Sequence, residues 1–214
     1  MIPCSVTLKN SALLVVDVIN SCAAEEYEDQ ARDIHYGRIR RMVPSLASFI
    51  TAYRQLGGTV MLVTSVPWQE RYLPENINEL YRNDDMARYW SEDTSGRGEE
   101  FYRIPTEGAT IFTKPSYDAF TCPDLVGALN ERGIRTLIVA GVFGDGCVLA
   151  TICGGFSRGY HFIIAKDLIE TTDDEDRQAM QKHLKERLWP LMYGPTLDSH
   201  AILAAFSQES TKEH

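Results

Sequence analysis

Three side chains of different chemistry stand at or just beyond the ends of apolar runs in this chain: the carboxylate of Asp17, the ammonium of Lys114 and the thiol of Cys147. An acid, a base and a thiol make a reactive set once they meet. Cys147 follows the turn Gly141-Val142-Phe143-Gly144-Asp145-Gly146 and opens a helical pattern. Unpaired backbone N–H groups and the helix dipole favour an anion at such a place. Lys114 adds a full positive charge, and both effects are expected to lower the thiol pKa and enlarge the thiolate population near neutral pH. Asp17 is suited to accept the thiol proton and return it to a leaving group. The same N–H groups suit the oxyanion of a tetrahedral intermediate, and the glycines let the backbone approach a substrate closely. Acyl transfer is the reaction class this set serves.

For these residues to meet, the elements carrying them must share an edge. SALLVVD, residues 11–17, is a continuous apolar run ending in the acid, as expected of a strand buried on both faces of a parallel sheet. TVMLVTSV at 59–66, TIFTK at 110–114, TLIVAGV at 136–142 and YHFIIA at 160–165 read as further strands. Between them, Ile39, Val43, Leu46, Ile50 and Tyr53 recur at helical spacing up to Gly57-Gly58; a second helix follows Pro123 and stops at Gly133. A third runs from Cys147 to Arg158, stopped by Gly159, and a charged helix covers 173–187. Leu191 to Leu197 reads as a last strand, with Asp198 capping a final helix, SHAILAAF. This alternation predicts an α/β fold of three layers, a Rossmann-like parallel sheet with helices on both faces, in a single domain over 1–214. Ligands of such sheets bind beyond the carboxyl ends of the strands, where Asp17, Lys114 and Cys147 converge.

The segment 67–108 is long for a connection and carries Trp68, Tyr72, Tyr81, Tyr89, Trp90, Phe101 and Tyr102. It reads either as a roof over a pocket or as a packed excursion with a small core of its own. Asn20, Trp68, Tyr117 and Phe120 are the candidate pocket walls, with core packing the competing role for Tyr117 and Phe120.

The net charge of −9 repels phosphate backbones and anionic lipid surfaces, and the tightest basic set, Arg38, Arg40 and Arg41, fits a solvated helix face, so nucleic acid and membrane are not expected partners. The start of the chain lacks a signal-peptide pattern, and no run nears the roughly 20 apolar residues of a membrane span; the expectation is cytoplasmic. Five cysteines, Cys4, Cys22, Cys122, Cys147 and Cys153, include no Cys-x-x-Cys pair, which argues against a disulfide framework or a zinc ribbon. Only Cys147 receives a role. Cys153 reads as a buried small hydrophobe, and the five histidines show no ligand spacing.

LLVVDVIN around Asp17, IFTKPSYDAF around Lys114 and IVAGVFGDGCVLAT around Cys147, taken in that order, resemble the isochorismatase-like cysteine hydrolases, which include nicotinamidases, N-carbamoylsarcosine amidase and ureidoacrylate-type amidohydrolases. The resemblance covers most of the chain. It implies a six-stranded parallel sheet, an Asp17–Lys114–Cys147 triad and a covalent acyl-enzyme on Cys147. It also implies a cis peptide between Val142 and Phe143 that turns the Phe143 N–H toward the oxyanion beside the Cys147 N–H. A small-molecule substrate and a homo-oligomer, dimer or tetramer, are implied as well. Two positions depart from the family pattern. Phe143-Gly144 replaces a small residue followed by Thr, so a bulky ring is expected to reshape the pocket. Ser65-Val66-Pro67-Trp68-Gln69 replaces the Asp-x-His metal motif of nicotinamidases, so no metal, no cofactor and a substrate other than nicotinamide are expected.

The expected reaction is hydrolysis of a small amide, ureido or related C–N bond, with vinyl-ether cleavage as the second reaction and a catalytically inactive metabolite-binding or partner-binding member of the fold as the third reading. A dinucleotide-binding module is the competing class, because Asp167 lies about 20 residues beyond the glycine turn. Its glycines, however, run G-x-x-G-x-G, and a cysteine stands where pyrophosphate would sit.

Overall fold

The computed structural model describes residues 2, 5–83, 93 and 95–210. Ser11–Val16 form strand β1, with every residue buried. Thr59–Ser65 form β2, Thr110–Lys114 β3, Thr136–Val142 β4, His161–Glu170 β5 and Thr196–Leu197 β6. All neighbours pair in parallel, giving a six-stranded sheet in the order β3-β2-β1-β4-β5-β6. The order reverses between β1 and β4, the switch point at which doubly wound sheets open a crevice.

The period of two along each strand sorts side chains onto two cores. Leu13, Val15, Leu62, Ile138 and Ile163 face one side, where Gly37–Gln55 (α1) lays down Ile39, Val43, Leu46, Ile50 and Tyr53, and Ser199–Ser210 (α7) adds Ile202 and Phe206. Leu14, Met61, Val63, Phe112, Leu137 and Val139 face the other. There they meet Leu125 and Leu129 of Pro123–Glu131 (α3), Ile152 of Leu149–Ser157 (α4), and Trp189. Fully burying one such aliphatic or aromatic side chain contributes about 1.5–3 kcal/mol, so either core outweighs any single polar contact in fixing the sheet.

Glu75–Asn83 form α2 inside the long excursion after β2. Leu73, Ile77 and Tyr81 make a small cluster there, packed by Val66, Trp68 and Tyr117, while Tyr102 and Ile104 join the core beside α1. Both readings of the excursion meet in the same residues, since Trp68 and Tyr81 belong to this small core and also line a cavity. Its return is stitched to the chain beyond β1 by a bridge between Ile19 and Phe101, by Tyr102 N–H to the Val18 carbonyl at 2.9 Å and by Asn20 N–H to the Glu100 carbonyl at 2.9 Å. Tyr89 and Trp90 lie outside the described residues, as does Cys4.

Three elements differ from the sequence reading. β5 runs on to Glu170, because a bulge between the pairs Val139–Ile164 and Gly141–Ile169 lets polar Lys166 and Asp167 turn outward before pairing resumes. That polar pair is what ends the apolar run in the sequence. Leu191 and Met192, expected to begin a strand, instead close the helical turn Trp189–Met192 (α6) that follows Glu175–His183 (α5), and only Thr196–Leu197 pair with β5. A short apolar run does not by itself separate strand from helix, and the buried Trp189 is held by the helical packing. The helix opened by Cys147 is regular only from Leu149; Gly144–Val148 form a widened turn in which Gly146 leaves helical dihedrals, with φ −122° and ψ −108°. The α7 cap is also displaced: Asp167, not Asp198, accepts from Ser199 N–H at 2.7 Å and Ser199 Oγ at 2.6 Å. The acid that would have contacted a ribose in a dinucleotide site is committed to a helix terminus.

Candidate active site

Asp17 leaves β1 with φ 51°, a conformation Asp tolerates better than most residues, and its side chain is almost fully buried. Lys114 ends β3 on the same face as Phe112 and is wholly buried. An ammonium has three donors, and three acceptors surround this one: Asp17 Oδ2 at 2.7 Å, the Ser116 carbonyl at 2.9 Å and Cys147 Sγ at 3.4 Å. Lys114 thus sits between the acid and the sulfur, with every proton engaged.

Beyond β4 the backbone passes β1 closely. Gly141 has φ 119°, and a Cβ there would meet the Val16 carbonyl oxygen at 2.1 Å, so only glycine fits. The next peptide, Val142–Phe143, is cis. The Phe143 carbonyl then accepts the amides of Gly146 and Val148, at 3.0 and 3.1 Å, on either side of Cys147. Asp145 anchors the same turn: it accepts from Thr171 Oγ1 at 2.5 Å and takes two bonds from Arg177, at 2.6 and 2.8 Å. The Arg177 guanidinium also lies over the Phe143 ring, 4.9 Å from its centroid, and the ring leans on Tyr36 at 6.0 Å. The bulk of Phe143 is thereby turned onto α1 and α5 as one wall. At Gly144 a Cβ would meet Gln181 Oε1 at 2.2 Å, so a larger residue would displace that α5 side chain.

The electrostatics correct one expectation. Burial pushes the Cys147 thiol well above its ordinary value; Lys114 pulls it down, but the Asp17 charge and hydrogen bond push it up again. Burial opposes the Lys114 ammonium too, yet the Asp17 carboxylate and the Cys147 sulfur outweigh it and hold its pKa above the usual lysine range. The share due to sulfur applies only once the thiol has lost its proton, so Asp17 is the standing cause. The resting site is therefore an Asp17–Lys114 ion pair beside a protonated thiol, with Asp17 in position to take the proton. One carboxylate oxygen, Asp17 Oδ1, is buried and meets no hydrogen-bond partner among the described residues.

A cavity of about 360 Å³ opens onto Asp17 and Cys147. Trp68 and Tyr117 line it, their rings 5.6 Å apart, with Tyr117 OH 2.6 Å from Tyr81 OH. Asn20 and Phe120 do not line it. Asn20 spends its amide on the Arg97 carbonyl at 2.8 Å, holding the excursion in place. Phe120 is buried against Tyr160, 5.1 Å between centroids, beneath Arg158. Cys22, given no role from sequence, does line the cavity, and burial together with the nearby Asp17 charge pushes its thiol up to about 12. Tyr36, Glu99 and Arg177 also form its walls and were not singled out. For Arg177 the sequence signal was its place in a charged helix, which reads equally well as a solvated face; Glu99 had no signal beyond lying in the long excursion. Among the described residues no three His, Cys, Asp or Glu side chains gather as a metal site, and no helix is long and apolar enough to cross a membrane.

A parallel sheet between two helical layers, with Asp17 and Cys147 at its switch point and Lys114 reaching them from β3, is the setting for a hydrolase site. Residues 11–196 match the isochorismatase domain, and the chain belongs to the isochorismatase family of hydrolases. It is 28% identical over 173 residues to the uncharacterized isochorismatase family protein YaaI of Bacillus subtilis, covering 79% of this chain and 85% of that one. It is 24% identical over 172 residues to the ureidoacrylate amidohydrolase RutB of Klebsiella pneumoniae, covering 74% of this chain and 72% of that one. In fold it matches a cysteine hydrolase from Pseudomonas syringae with a TM-score of 0.78 at 19% identity, over 97% of each chain.

Proposed function

We propose that the protein is a cysteine-dependent hydrolase of a small-molecule amide, ureido or related C–N bond, with Cys147 as nucleophile. The observation that carries this reading is the wholly buried Lys114 ammonium, 2.7 Å from Asp17 and 3.4 Å from the Cys147 sulfur. A buried charge bonded to both partners holds them in one geometry. On attack, the thiol proton passes to Asp17 as the C–S bond forms, and the carbonyl oxygen becomes an oxyanion facing the N–H groups of Phe143 and Cys147. Asp17 then protonates the leaving nitrogen as the C–N bond breaks. Water attacks the thioester, gives its proton to Asp17, and the released sulfur recovers that proton. Lys114 keeps its charge throughout and stabilises the thiolate while it exists. The cavity volume suits a small molecule rather than a polypeptide, and the kinship with an amidohydrolase supports a C–N bond as the target.

The burial of Cys147 favours a second reading, cleavage of a vinyl ether with Asp17 handling the proton: burial pushes the thiol well above its ordinary value, and that reaction needs no thiolate. A panel of primary amides, ureides and vinyl ethers, with intact-mass detection of a trapped acyl-enzyme, separates the two. Turnover of amides or ureides that Cys147→Ala abolishes without loss of folding is the expected result. A Cys147→Ala protein that keeps turning over the same compounds would refute the nucleophile assignment, and turnover confined to vinyl ethers would select the second reading.

A further inference from the structure

Among the described residues, the charged side chains lining the cavity pair off with one exception. Asp17 is held by Lys114, and Asp145 is held by Arg177 through two bonds. Glu99, in the short turn Arg97–Glu99 of the excursion, lines the same cavity, and among the described residues its carboxylate meets no cation. Its backbone is fixed: Thr64 Oγ1 donates to the Glu99 carbonyl at 2.8 Å, tying the turn to β2. Burial, and to a lesser degree the nearby Asp93 charge, raise the Glu99 carboxyl above its ordinary value against the lowering pull of its own backbone N–H. The cavity wall therefore carries a carboxyl group that no cation among the described residues offsets, within a molecule whose net charge is already −9. Arg177 does not reverse this, since the two nitrogens that face Asp145 are spent on it, and an incoming carboxylate there would meet the Asp145 charge.

We infer that Glu99 is a specificity-determining residue, and that the substrate is an amide or ureide whose distal end is cationic or a neutral N–H donor, with carboxylate-bearing analogues rejected. This rests on the reading of the cavity as the substrate site of a hydrolase. A complementary charge at a partly dry site gains binding, and a like charge is excluded by the same contact. The aromatic walls, Trp68, Tyr117 and Phe143, complete the match by favouring a flat or cationic group over a hydrated anion.

Two readouts test this, and they fail separately from the catalytic reading. The first is the rate of Cys147 alkylation by neutral iodoacetamide against anionic iodoacetate, each divided by its rate with glutathione. The wild-type protein is expected to prefer iodoacetamide, and Glu99→Gln to shrink that preference on the order of tenfold. An unchanged ratio in Glu99→Gln overturns the assignment. The second needs no reactive thiol: the shift in melting temperature of Cys147→Ala protein with succinamide, succinamate or 4-aminobutanamide, which differ mainly in the charge of the distal group. The cationic and neutral compounds are expected to shift it and succinamate not to. A shift largest with succinamate, or none with any of the three, overturns the substrate class even if Cys147 is catalytic.

Discussion

Replacing Lys114 with Met keeps an unbranched side chain only one atom shorter and removes its charge. The ammonium is fully buried and Asp17 nearly so, at 2.7 Å. At an effective dielectric of about 20, the attraction between unit charges at that separation is about 6 kcal/mol, and both charges have already lost their water. Removing one partner leaves the other uncompensated, which costs about 3–5 kcal/mol. Against a typical total stability of about 5–15 kcal/mol that is a large fraction. For a chain of this size it corresponds to a fall in melting temperature of about 6–20 °C. The assay is urea unfolding followed by circular dichroism for wild type, Lys114→Met, Asp17→Asn and the double variant. The double variant, in which neither charge is stranded, is expected to recover a substantial part of the loss, giving a coupling energy well above the ~0–1 kcal/mol of exposed pairs. A single variant that loses less than about 1 kcal/mol, or a double variant no more stable than Lys114→Met, would refute the claim that this pair is buried and mutually dependent.

Two further outcomes follow from the titrations. Because burial raises the Cys147 thiol, its thiolate fraction is small at neutral pH, and iodoacetamide labelling of Cys147 is expected to keep climbing above the free-thiol value of about 8.5; a midpoint below that value, located by mass spectrometry, would show that Lys114 and the turn win over burial. At Glu28, burial raises the carboxyl but the Tyr36 amide and Arg40 outweigh it and lower it to about 2, so the contribution of Glu28 to stability is present above the ordinary carboxyl range and disappears as pH falls toward 2. Glu28→Gln is expected to cost about 1–2 kcal/mol at neutral pH and nothing near pH 2, as read from denaturation at a series of pH values; a pH-independent difference would contradict this.

The three polar residues of the site were legible because each stands where an apolar run stops, and β3 and β4 begin and end where the sequence places them. A buried strand cannot hide where its hydrophobic run breaks. The walls were less legible because they arrive from chain segments with no period. Tyr117 and Phe120 stand three residues apart in one irregular stretch, yet one faces the cavity and the other the core. Glu99 and Arg177 are ordinary charged residues until the fold sets them around the cavity that opens onto Cys147. At β5 the outward-turned Lys166-Asp167 imitated the end of a strand, and at Leu191-Met192 apolar composition imitated the start of a strand that the packing made the end of a helical turn.

The return of the excursion is joined to the chain beyond β1 through main-chain groups: the Ile19–Phe101 bridge and the amide-to-carbonyl bonds of Tyr102 and Asn20. Such bonds do not read side-chain identity. Arg97, Glu99 and Glu100 are therefore free to change while the splice holds, with Gly98 buried and Phe101 packed on the core, and the acid–lysine–thiol set beneath stays untouched. The architecture separates what is recognised from what is done to it, so grafting a relative's residues at positions 97, 99 and 100 onto this chain is a direct route to a new preference with the same chemistry.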